Sequence, residues 1–380
     1  MILQKGILSI CITLLCCFAF CVGVSAEDSV SVPKEFYGII DSLPEDTVDN
    51  IPPEIYSEDI SQVGNALMHL TDEKFVFSFM EDILEDRLAE CVRLLAKLCG
   101  ILVISAVFST FRKSIWSGEL SRTLDFCSSC IIFAMVVGLL YKQIESVSVF
   151  FEQLNSLMIS MIPVTGAVYA MGGNIGTAVV DGGAMYGFLA VSEGICAKTV
   201  VPVSIVCTAL ALCRGVSPGI DLRGLASGIK KCYTFLLGFI MTILLALLAT
   251  RTYLASAADS TAARAVKTVV SSTIPIVGAS VSDTLRTVAS SVQYIKSIVG
   301  VGGIIFILML LLPTLISLLL TRLTFIFSVG VADLLGCESE SRLLGELGNV
   351  CGCMIAAVSM SSVMFIMALN IFIKTTVAML

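Results

Sequence analysis

Charge and histidine are what this sequence has least of. Only 14% of its 380 residues are Asp, Glu, Lys or Arg, and it holds a single His, His69. A soluble domain of this length is about a quarter charged, so a fully solvated surface is excluded. One imidazole also excludes the paired-His arrangements that hold catalytic or structural zinc.

Other absences narrow the function. There is no Gly-x-x-x-x-Gly-Lys phosphate loop. His69 sits among acids on an amphipathic stretch and reads as a solvated surface residue, so the sequence points to no enzyme, cofactor, metal or nucleic acid. Cysteine is missing where a disulfide framework would matter: of 15 Cys, none lies between Glu27 and Glu90. "CSSC" from Cys127 and "CGC" from Cys351 lack a second pair or a nearby His, and read as small apolar residues within membrane segments.

What the chain does have is apolar length. With 57% hydrophobic residues and a mean hydropathy of +0.97, it reads as an all-α polytopic membrane protein. A membrane helix needs roughly 20 mostly apolar residues. Candidate spans are 94–111, 124–141, 185–213, 232–250, 298–320 and 350–373, which makes six the minimum and about six to eight the expected number.

Lys5, the apolar run that follows it, and Val24, Ser25 and Ala26 ahead of Glu27 form a secretory signal peptide over 1–26, with an uncleaved anchor as the alternative. Residues 27–91 are then an exported acidic module ending in an amphipathic helix. Up to Glu90 it carries 17 acids against Lys34, Lys74 and Arg87. Basic residues cluster instead in the loop holding Arg112, Lys113 and Arg122 and in the loop holding Arg214, Arg223, Lys230 and Lys231, which places both loops in the cytoplasm. Residues 92–141 are then a two-span hairpin.

Two phrases repeat: "IPVTGA" from Ile162 and "IPIVGA" from Ile274, 112 residues apart. A second Pro follows within each next span, Pro202 coming 39 residues after Pro163, and Pro313 coming 38 after Pro275. "RGLASGIKKC" and "RLLGELGNVC" each then run from an Arg to a Cys that opens a further span. This order implies an internal duplication, 142–250 and 251–380, with both units in the same orientation. Pro removes an amide donor and Gly admits irregular backbone, and unpaired amides are costly in hydrocarbon. Pro163, Gly166, Pro275, Gly278, Pro202 and Pro313 are therefore expected to mark helix breaks, in re-entrant or interfacial segments, at a shared interface or cavity. Asp181, Glu193, Asp283 and Arg286 are the candidate intramembrane polar residues, Asp283 and Arg286 being spaced to pair on one helix face. Small residues four apart, Gly183 with Gly187 and Gly224 with Gly228, allow close helix packing or self-association.

The run "AADSTAARAVKTVVSSTIPIVGASVSDTLRTVASSVQYIKSIVGVGG", followed by the Pro313 span and "SRLLGELGNVCGCMIAAVSMSSVMFIMALNIF", resembles the stage III sporulation protein AE family of endospore-forming Firmicutes. In that family an Ile-Pro-x-x-Gly phrase precedes a Ser-Asp pair, here Ser282 and Asp283, then a helical stretch and two final spans. The likeness runs from about Val92 to the end. It implies a multi-pass protein of the mother-cell membrane around the forespore, working with the other stage III A-operon proteins and the forespore stage II Q protein in a channel or secretion-like complex. It brings no catalytic residues. A stand-alone permease with parallel repeats is the alternative that the duplication by itself suggests.

Overall fold

The computed structural model describes residue 55 and residues 60–70, 73–115, 118–171, 183–216, 224–247 and 278–374; among the side chains, those at 108–126 are nearly all outside the description, as are those at 278–289. Every regular element among the described residues is helical, as the composition requires. We number them α1 (Ile60–Leu70), α2 (Glu73–Ile115), α3 (Gly118–Met171), α4 (Gly183–Val216), α5 (Gly224–Leu247), α6 (Gly278–Leu334) and α7 (Glu338–Lys374). Five of them, α3 to α7, are long and apolar enough to cross a membrane. The expected span 94–111 falls in α2, whose last side chains lie outside the described residues.

The helices α6 and α7 form the spine. A left-handed cap ends α6: Gly336 has φ 72°, its N–H donates to Asp333 O at 3.1 Å, and Cys337 N–H donates to Ala332 O at 2.9 Å. These are the two hydrogen bonds of a Schellman motif, which turns the chain back at once. Glu338 and Glu340 then lie in the first turn of α7, where acids suit the helix dipole. Down the hairpin, glycines on one helix meet side chains on the other. Gly345 faces Val329, Gly348 faces Phe325, Gly352 faces Arg322, Gly303 faces Leu369 and Gly300 faces Ile373. One number rises as the other falls, so the two helices are antiparallel and in register over their whole contact. Without a hydrophobic driving force between helices in lipid, such small-residue approaches are what brings them together.

Around this spine pack α2, α3, α4 and α5. Gln143 of α3 donates to Ser317 Oγ at 3.0 Å and to Thr321 Oγ1 at 3.2 Å on α6, while Met161 of α3 lies against Gly303; α3 is therefore antiparallel to α6. The helix α2 runs the other way. Arg87, Glu90 and Cys91 share a small void of about 10 Å³ with Ser317 and Thr321, and farther along, Cys337 Sγ lies 3.8 Å from Leu102 O. The short α1 rests on the opposite end of α6, where Gly64 leaves room for the Tyr294 hydroxyl.

Two expectations are corrected here. The segment after Lys142 is not a separate element: it continues the preceding span as one helix through Met171. Val147, Phe150, Phe151, Leu154, Leu157, Met158, Met161, Val164 and Val168 are all buried against neighbours. A period of three to four in these residues gives the stripe, and the Ser, Gln and Glu between them made the segment look too polar to cross. The second correction concerns the breaks. Pro163, Pro202 and Pro313 each lie inside a continuous helix. Neighbouring hydroxyls take up carbonyls close to two of them: Thr165 Oγ1 donates to Met161 O and Ile162 O, and Thr199 Oγ1 to Ile195 O and Cys196 O. These are back-bonds within the turn before each Thr; the carbonyls that Pro163 and Pro202 leave without a helical donor are those four residues earlier, Ile159 O and Lys198 O.

Candidate functional site

Burial on α4 follows a helical stripe: Met185, Leu189, Ser192, Glu193, Cys196, Val200, Ser204, Cys207, Thr208 and Ala211. This face packs on α3 and α7. Glu193 falls in the middle of it because its number fits the stripe, and the apolar neighbours dictate its burial. The side chain is 1% exposed, and neither carboxyl oxygen has a hydrogen-bond partner. Across the interface α7 presents Ser361 toward it. The Ser361 hydroxyl is buried and also lacks a partner within bonding geometry, as does the hydroxyl of Tyr233 on α5.

The depth of this site follows from the spine. Ser361 lies on α7 between Gly352, which faces Arg322, and Leu369, which faces Gly303. Glu193 therefore sits level with the stretch of α6 around Pro313, well inside the uncharged run 297–321. An ionised carboxylate has no counter-charge there: Lys198 is exposed on the other side of α4.

Polar groups also mark both ends of that run. At one end the Lys296 ammonium, 2% exposed, lies 4.8 Å from the Tyr169 ring centroid and 5.6 Å from that of Phe372. The two rings meet edge to face at 5.4 Å. Cation–π contacts of this kind hold a desolvated charge well. At the other end Lys230 of α5 bonds Glu346 of α7 at 2.7 Å, beside a cleft of about 610 Å³ that Ser227, Arg342 and Asn349 also line. Ser105 Oγ of α2 donates to the buried Glu340 at 2.6 Å. The ends of α2, α5 and α7 that carry these contacts thus share one side of the bundle.

Of the residues singled out in sequence whose side chains are described, Glu193 is the one that is buried. Pro163 and Pro202 are exposed, Pro313 is half-buried, and an added Cβ at Gly166 would meet nothing within 4 Å. Pro163 and Pro202 are thus not enclosed between the described helices of this chain. Gly278 opens α6, and Asp283 and Arg286 follow in its first turns with side chains outside the described residues. Pro275 and Asp181 also lie outside them. Sequence reasoning missed Gln143, Lys296, Tyr233 and Ser361. Lys296 carried a usable signal, a lone cation opening the most apolar run of the chain. The hydroxyls carried none, since Ser and Thr are common in such helices.

A bundle of helices, five of them long and apolar enough to cross a membrane, is the architecture of an all-α membrane protein. The family model of stage III sporulation protein AE matches residues 63–376. The chain therefore belongs to that family and is a sporulation membrane protein. No curated protein and no solved structure matches it.

Proposed function

We propose that the chain is a non-enzymatic subunit of a channel or secretion-like complex between mother cell and forespore. It would lie in the mother-cell membrane around the forespore and assemble with the other stage III A-operon proteins and the forespore stage II Q protein. Family membership supports the setting, and one observation supports the role of subunit. On α2, Glu81, Asp82, Glu85 and Glu90 are exposed. Glu90 lies level with Ser317 and Thr321 at the end of the uncharged run of α6. Because α2 runs parallel to α6, a rise of about 1.5 Å per residue puts Glu81 and Asp82 roughly 12 Å further toward the middle. Carboxylates do not face acyl chains at that depth; they face water or protein.

The test is a photo-crosslinking residue at Glu85 in sporulating cells. Adducts to another stage III A-operon protein or to a second copy of the chain are expected, and adducts to lipid alone would overturn the reading. A second reading, a permease acting alone, draws on the geometry of α4 and α6, which run in the same direction as two parallel repeats would. Purified protein that moves a small solute across liposomes without partners would favour it.

A further inference from the structure

We propose that Glu193 is a proton-carrying carboxyl at the centre of the bundle, neutral while α4 and α7 are packed and able to release its proton only when they part. Three observations carry this, and none depends on the channel reading. The group is 1% exposed. Both of its oxygens lack a hydrogen-bond partner. It lies level with the middle of an uncharged membrane run, where burying a charge without a partner is so costly that a carboxyl takes up a proton instead.

The groups that face it offer no charge to offset its own. Cys196 on α4 and Tyr233 on α5 are the titratable neighbours, a thiol and a phenol that by their ordinary chemistry carry no charge at neutral pH. On α7 the facing group is the Ser361 hydroxyl, and that helix has no carboxylate or basic residue between Glu346 and Lys374. The adjoining part of α3 has no ionisable side chain between Glu152 and Tyr169. The chemistry also selects a proton over a metal cation. Hard cations take about six or more oxygen ligands, whereas helical carbonyls here are engaged in their own ladders. Among the described residues no group of three His, Cys, Asp or Glu assembles. A protonated carboxyl needs only one acceptor, and Ser361 is placed to become it after a small rotation. When the helices part, the proton passes to entering water and the negative charge stays on Glu193, solvated by that water and by the Ser361 and Tyr233 hydroxyls.

Infrared spectra of the full chain in nanodiscs at neutral pH test this. The wild type is expected to show a neutral-carboxyl C=O band that Glu193→Gln removes and Ser361→Ala shifts. Spectra of wild type and Glu193→Gln that match in this region would overturn the proposal. Thermal stability gives a second reading. Gln replaces one neutral group by another, so the variant should unfold within a few degrees of wild type, whereas a markedly more stable variant would mean that a charge had been buried. The hydrophobic carbodiimide dicyclohexylcarbodiimide supplies the third. Adduct formation at Glu193 should be indifferent to sodium, and protection by sodium would identify a cation site and sink the proton assignment.

Discussion

Gly303 is a place where one added methyl group should be felt by three helices at once. A Cβ there would stand 2.9 Å from Leu369 Cδ1 on α7 and 3.1 Å from Met161 Cε on α3. Leu369 and Met161 are each 0% exposed, so neither can swing out to relieve the contact, and three helices must adjust together. Overpacking of this kind costs about 1–3 kcal/mol, while Ala in place of Gly inside a helix returns about 1 kcal/mol. Gly303→Ala is therefore expected to be destabilising by up to about 2 kcal/mol. Gly238 on α5 supplies the control, because a Cβ there would meet nothing within 4 Å. The same substitution at Gly238 should stabilise by up to about 1 kcal/mol. The quantity to measure is the gap between the two variants, expected at about 1–3 kcal/mol. Thermal unfolding in detergent can be followed with a thiol-reactive fluorophore, since Cys196 and Cys351 are buried and become reactive only as the bundle opens. Leu369→Val, which trims the opposing side chain, should recover part of the loss in the double variant. If Gly303→Ala is as stable as Gly238→Ala, close approach at this glycine does not hold the three helices.

Pro163→Ala should leave insertion and fold intact and raise thermal stability, because the helix already runs through this position and Pro is about 3 kcal/mol worse than Ala in a helix interior. A misfolded or less stable variant would show that the proline shapes the bundle. Lys230→Glu should lower stability by about 1–3 kcal/mol, since it leaves Glu346 facing a second carboxylate in a partly buried setting. The swapped pair Lys230→Glu with Glu346→Lys should restore most of that, and no recovery would mean that the ion pair is incidental. Gln143→Leu should cost about 0.6–1.7 kcal/mol, the range for interhelical hydrogen bonds in membranes, read as a lower unfolding midpoint in detergent.

The helical nature of the chain, most of its spans and its family could be read from sequence, because hydropathy and spacing are properties of single segments. The dual nature of residues 142–171 could not. Local composition there weighs Ser, Gln and Glu equally with the buried Val, Phe and Leu, and only the neighbours show which face meets protein. The prolines misled for a similar reason. A missing amide is visible in sequence, but the continuous helices on either side are not.

The amino-acid sequence by itself settled what the chain must avoid and where it must reside: too few charges for water, and long apolar runs that only lipid or protein can cover. Tertiary structure decided which of its few polar residues are enclosed. Glu193 and Lys198 lie five positions apart on one helix, yet the first is sealed between α4 and α7 and the second is exposed. Facing direction on a helix becomes burial only when another helix packs there, and here that is α7 against α4, a contact between residues distant in sequence.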